Sequence, residues 1–178
     1  MVRLNQKHVI VAPPDPAWPD AFDAASREIV GAMGANLLAV HHIGSTAIPG
    51  IWAKPVIDLL PVVRDLARVE EHVAAMRALG YEAMGEFGIP GRRYFRRDGP
   101  DGLRTQNVHA FEHGSQHVAR HLAFRDFMRA HPDVARQYSD LKRQLAERYP
   151  HDIEGYMDGK DAFIKQMEAR ALAWRGFA

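Results

Sequence analysis

His42–Val63 reads HIGSTAIPGIWAKPVIDLLPVV: the end of one strand, a bend of small residues, and a second strand with a single carboxylate in an apolar run. Leu38, Val40 and Ile43 supply the first strand, and Gly44, Ser45 and Thr46 break its alternation. A glycine lets backbone come close to a ligand, free N–H groups at a helix start carry partial positive charge, and two hydroxyls add donors. The bend is therefore predicted to open a helix and to cradle an anion such as phosphate. Val56, Ile57, Leu59, Leu60, Val62 and Val63 predict a buried strand in which Asp58 is out of place. A carboxylate there needs a metal, a cation or several donors to offset its desolvation. The expectation is one pocket, with phosphate on Gly44, Ser45 and Thr46 and a divalent cation on Asp58. The duller alternatives are an ordinary tight turn and a structural carboxylate paired with Lys54 or an arginine.

Outward from this stretch, Lys7 to Ala12 predicts a short strand ended by Pro13 and Pro14, and Asp15 an N-cap with Pro16 in the first turn. Trp18, Phe22, Ala25, Ile29 and Met33 recur at helical spacing, as do Leu66, Val69, Val73 and Met76 before Gly80. Tyr81 to Met84 can start a strand, Gly85 to Gly91 is a loop, and Arg92–Arg97 with Thr105–Phe111 predict an antiparallel pair turning at 98–102. Beyond Gly114 only helices are expected. Ser115 caps the first, Pro132 starts the next, and Ile153, Tyr156, Phe163, Ile164, Met167, Ala171 and Trp174 mark the last. The fold class is α+β, read as one unit over 1–178 with a core to about 113 and a helical cap from about 114.

Composition narrows the function classes. Lys plus Arg number 23 against 22 Asp plus Glu, so no global field attracts nucleic acid or an anionic membrane. No cysteine is present, which excludes disulfides, thiolate zinc sites and a cysteine nucleophile. The start, MVRLNQKHVIV, is too short and polar for a signal peptide, and no apolar run reaches spanning length. A soluble cytoplasmic protein without a membrane partner is expected.

DPAWP at 15–19, HIGSTAIPG at 42–50, KPVIDLL at 54–60, and NVHAF at 107–111 followed by HLAFRDFMRAHP at 121–132 occur in this order. Together they resemble the GrpB family, over nearly the whole chain. The central stretch is similar to the start of a nucleotidyltransferase-fold active site, where a Gly-Ser turn precedes a strand with two carboxylates at alternate positions. The resemblance implies a nucleotidyltransferase-like mixed sheet flanked by helices, a nucleotide or other phosphorylated small molecule as ligand, and magnesium or manganese as cofactor. Family members fused to dephospho-coenzyme A kinase suggest a link to nucleotide or coenzyme metabolism. No Gly-Lys-Ser/Thr phosphate loop of the Walker type occurs here.

Nucleotidyl transfer uses two divalent ions held by carboxylates to polarise the α-phosphate and stabilise the departing pyrophosphate. Asp58 is the first such carboxylate and the candidate catalytic residue, but Leu60 stands at the second position. Asn107, His109 and Phe111 share a strand face, so His109 is the candidate second metal ligand, and imidazole would favour a transition metal. Of the remaining ligand contacts, His42 precedes the bend, and Lys54, Arg93 and Arg104 offer cations, the arginines binding phosphate in forked geometry. His109, His113, His117 and His121 recur every four residues, but Gly114 divides them between strand and helix, so they do not form one metal-binding face. Tyr94 and Phe95 lie among the arginines and read as core; nucleic acid is not the expected partner. Two functions follow: metal-dependent nucleotidyl transfer, or a non-catalytic nucleotide or phosphate-binding module with an incomplete metal site.

Overall fold

Alternating apolar residues in the centre of the chain pair into a mixed sheet of five strands. These are β1 (Leu37–Ile43), β2 (Ile57–Val63), β3 (Glu82–Ala83), β4 (Arg92–Asp98) and β5 (Arg104–Glu112), in the order β1-β2-β5-β4-β3. β2 runs parallel to β5 and every other pair is antiparallel. The computed structural model describes residues 8–177. The N-terminal MVRLNQK, and with it the predicted strand start at Lys7, lies outside them.

Five helices flank the sheet: α1 (Trp18–Met33), α2 (Val73–Ala78), α3 (Gln116–Ala130), α4 (Pro132–Arg148) and α5 (Ile153–Trp174). The period-two alternation of the strands divides the sheet into two faces. Ile57, Leu59, Val63, Phe95 and Val108 pack with Ala25, Ile29 and Met33 of α1 and Met76 of α2 in the main core. On the other face Ile43, Leu60 and Phe111 lie under Val118 and Leu122 of α3. The last three helices enclose a core of their own, into which Ile48 and Ile51, just past the bend, insert between Phe127, Val134, Tyr138 and Met167. Each buried isoleucine contributes roughly 1.5–3 kcal/mol, which anchors the segment between the bend and β2 to the helices. No helix among the described residues is long and apolar enough to cross a membrane.

Local departures from expectation have physical causes. Gly44–Thr46 does not open an α-helix; Ser45–Ala47 is one 3-10 turn, and Ile48 is already extended at φ −108°, ψ 115°. Pro49 disfavours helical backbone in the residue before it. Residues 8–11 form no strand, and Ala12 makes a lone bridge to Ala53, because Pro13 and Pro14 lack the donors to extend it. The predicted helix before Gly80 is 3-10 over Ala67–His72 and α only over Val73–Ala78. Asp15 does not cap α1; its carboxylate accepts from Ala17 N–H at 2.8 Å and shapes the turn ahead of the helix.

The antiparallel register sets Ile43 opposite Asp58, so the next residue, Gly44, turns over the Asp58 side chain. Gly44 has φ +73°, and a Cβ there would lie 2.5 Å from Asp58 Oδ2. Gly31, on the exposed surface of α1, has nothing within 4 Å of such a Cβ. Gly44→Ala is expected to lower unfolding free energy in urea by about 2 kcal/mol or more, whereas Gly31→Ala raises it by roughly 0.5–1 kcal/mol; equal effects would show that the bend is not pressed against Asp58.

Candidate functional site

Asp58, Asn107, Tyr94 and Arg104 form the floor of a cleft of about 400 Å³ on the sheet face opposite α1. Ser45, Lys54 and Val56 from the segment between β1 and β2 form one wall, and Lys142 of α4 with Tyr156, Met157 and Lys160 of α5 form another. The parallel register sets Asp58 directly beside Asn107.

Asp58 Oδ1 accepts from Asn107 Nδ2 at 3.1 Å and from His109 Nε2 at 3.2 Å. Asn107 Oδ1 in turn accepts from the Tyr94 hydroxyl at 2.8 Å and from Arg104 Nη1 at 3.2 Å, which fixes its amide orientation. Arg104 is held from outside by Asp98 at 2.6 Å. Arg92 Nη1 lies 3.3 Å from His109 Nδ1. A guanidinium only donates, so Nδ1 accepts and the ring proton sits on Nε2, facing Asp58. Burial pushes the Asp58 carboxyl up, but hydrogen bonds from His109 and Asn107 outweigh it, and the net direction is down.

Lysines dominate the rest of the cleft. Lys142 is 1% exposed. Its Nζ lies 4.3 Å above the Tyr138 ring and has no hydrogen-bond acceptor among the described residues. Burial, with the positive charge of Lys160, pushes Lys142 down to about 7. Burial also lowers Lys160 to about 8, with Lys54 adding to the shift and Asp58 opposing it. Lys54 is lowered for the same first reason, again opposed by Asp58. Three ammonium groups and a guanidinium thus share a cavity with one carboxylate.

Of the residues singled out in the sequence, the structure brings Ser45, Lys54, Asp58 and Arg104 to this cleft, with Gly44 pressed on Asp58 and His109 bonded to it. Three others go elsewhere. His42 and Thr46 line a separate cavity of about 630 Å³ with Trp18, Phe22, Arg125 and Arg129. The His42 ring stacks on Phe22 at 4.7 Å, and its Nε2 lies 2.8 Å from Thr46 Oγ1. Burial, then Arg129, pushes His42 down to about 4. The cause of this split is the 3-10 turn, which sends successive side chains to different sides, Ser45 toward the cleft and Thr46 away from it. Arg93 lies on the α2 side of the sheet and pairs with Glu70 at 2.7 Å; strand alternation separates it from Tyr94, which lines the cleft.

The two-ion centre expected from the family resemblance does not fit these residues. Leu60 is fully buried among Ile43 and Phe111. The His109 proton faces Asp58, and no group of three or more His, Cys, Asp or Glu that could hold a metal occurs among the described residues. His121 lies beside His109 with Arg120 against its Nε2, and burial, then Arg120, pushes it down to about 3.

Sequence reasoning did not find Lys142, Lys160 or the role of Asn107. A signal for Lys142 was available. It follows Tyr138 by four residues on the buried stripe that also holds Val134, so a charged residue stands where the α4 pattern calls for an apolar one.

The chain matches the family described as GrpB protein over residues 8–170. It is 44% identical over 158 residues to the UPF0157 protein YqkA of Bacillus subtilis, covering 89% of this chain and 46% of that one. It is 31% identical over 195 residues to a dephospho-CoA kinase of Mycolicibacterium paratuberculosis, covering 97% of this chain and 48% of that one. The chain thus spans about half the length of both relatives. The crystal structure of conserved protein GrpB from Enterococcus faecalis is 42% identical and superimposes with a TM-score of 0.89, covering 93% of this chain and 99% of that one.

Lys142 binds fewer protons folded than unfolded between its lowered value of about 7 and the ordinary lysine value of 10.5, so stability rises with pH across that window. Lys142→Met removes a buried ammonium without an acceptor and is expected to raise unfolding free energy by about 1–3 kcal/mol at neutral pH. It should also flatten the pH dependence of the thermal midpoint between neutral and alkaline buffers. A destabilised variant with an unchanged pH profile would contradict this placement of the lysine.

Proposed function

The chain belongs to the GrpB family, and from the cleft we propose that it binds a nucleotide or another phosphorylated small molecule, with the phosphate on Ser45, Lys54, Arg104, Lys142 and Lys160. The observation that carries this is the orphaned Lys142 ammonium, buried in the wall of a cleft that two further lysines also line. A buried charge without a partner is unfavourable; an anionic ligand supplies the partner. Asp58 holds Gly44 and Asn107 in place, so that Ser45 and Arg104 reach the same anion. The mouth is apolar: Ile10, Leu103 and Met157 line it and are exposed. That suits an organic body such as a nucleoside better than inorganic phosphate. The match to a protein named dephospho-CoA kinase supports the same class of ligand. With Leu60 in the core and Asp58 the one carboxylate lining the cleft among the described residues, the non-catalytic binding module is the reading favoured over nucleotidyl transfer.

Calorimetric titration with ADP and pyrophosphate at neutral pH tests this. Wild type should bind both, and Lys142→Met and Arg104→Gln should each weaken binding by about tenfold or more, near 1.4 kcal/mol. The complex needs protonated lysines whose values in the free cleft are about 7 and 8. Affinity should therefore fall above about pH 7 as Lys142 deprotonates, and more steeply above about pH 8 as Lys160 follows, by up to about tenfold per pH unit for each lysine. Absence of binding, or affinity that rises with pH, would remove the proposal.

A further inference from the structure

Resting on that reading of the cleft, we propose that the phosphate is held as a metal-free anion, with Lys54, Lys142 and Lys160 supplying the positive charge that divalent cations supply in a two-ion centre.

The first ground is the state of Asp58. Its Oδ1 already accepts from Asn107 at 3.1 Å and His109 at 3.2 Å. Its Oδ2 faces Gly44 so closely that a Cβ on that glycine would come within 2.5 Å. A divalent ion would have to displace these contacts, and the bend depends on them. His109 offers no lone pair in exchange, because its Nε2 carries the proton and its Nδ1 accepts from Arg92 at 3.3 Å.

The second ground is the sign of the field. Magnesium and manganese take hard oxygen donors, mostly carboxylates, phosphates and water. Asp58 is the one carboxylate lining the cleft among the described residues, and Asp98 beside it is engaged by Arg104 at 2.6 Å. Against the charge of Asp58 stand Lys54, Lys142 and Lys160, while Arg104 and Asp98 balance each other. Such a set repels a cation and attracts a phosphate dianion. Asp58 lowers the net positive charge that the anion meets, a role opposite to that of a metal ligand.

The two possibilities separate on the response to added metal. Titrate ADP and pyrophosphate into the protein in EDTA, in excess magnesium and in excess manganese, and repeat with Lys160→Met after circular dichroism confirms that it is folded. Metal-free binding predicts affinity in EDTA equal to or tighter than in magnesium, since the ion competes for the phosphate. It also predicts that Lys160→Met weakens binding in EDTA, by about threefold or more for loss of one nearby opposite charge. Binding that appears only with added metal overturns the proposal on wild type alone, whatever the variant does; so does binding in EDTA that a folded Lys160→Met leaves unchanged. No binding in any buffer rejects the phosphate reading of the cleft, and this inference with it.

Discussion

One carboxylate in the middle of a buried strand sets the geometry on which the remainder of the site depends. Asp58 presses Oδ2 against Gly44 and offers Oδ1 to Asn107 and His109. Because the β1–β2 register sets Ile43 opposite Asp58, the chain must turn directly above the carboxylate, and only a residue without a Cβ can make that turn at φ +73°. The turn then directs Ser45 toward the cleft and Thr46 toward His42. Asn107 passes the constraint to β4 and to Arg104, so two strands and the bend are aligned around one side chain.

Helices α4 and α5 complete the cleft and give it its charge. Lys142 lies on the buried stripe of α4 between Tyr138 and Leu145, where an apolar residue would stabilise the free protein better. Its ammonium rests on the Tyr138 ring, and the Tyr138 hydroxyl bonds to Ser45 at the bend. Ile48 and Ile51 bind the same segment into the core of the three C-terminal helices. The helices therefore act as the wall that keeps water from the lysines as well as a lid on the sheet. The buried Lys142 charge lowers the stability of the protein.

The bend also partitions the molecule. Its two hydroxyl residues face different cavities, which have no lining residue in common. His42 is consequently a stacked, neutral ring against Phe22 and not a contact of the Asp58 cleft. The same alternation that puts Tyr94 in the cleft sends Arg93 to Glu70 on the far face, so a run of arginines in one strand cannot act as a single patch.

The elements themselves were legible from local patterning. A continuous apolar run marked β2, strand-like segments marked β1, β4 and β5, period-3.6 stripes marked α1, α3, α4 and α5, and the misfit of Asp58 in β2 pointed to the cleft. Leu60 already ruled against a second carboxylate, because its neighbours two residues apart share a face whatever the topology. What the tertiary structure alone decided was company: that Lys142 and Lys160 line the same cleft as Asp58, that Thr46 leaves Ser45, and that the imidazole of His109 turns its proton to the carboxylate. Alternation and helical period are properties of a few adjacent residues. Which cation meets which carboxylate depends instead on how helices dock on a sheet, through contacts between residues far apart in the chain that no local pattern encodes.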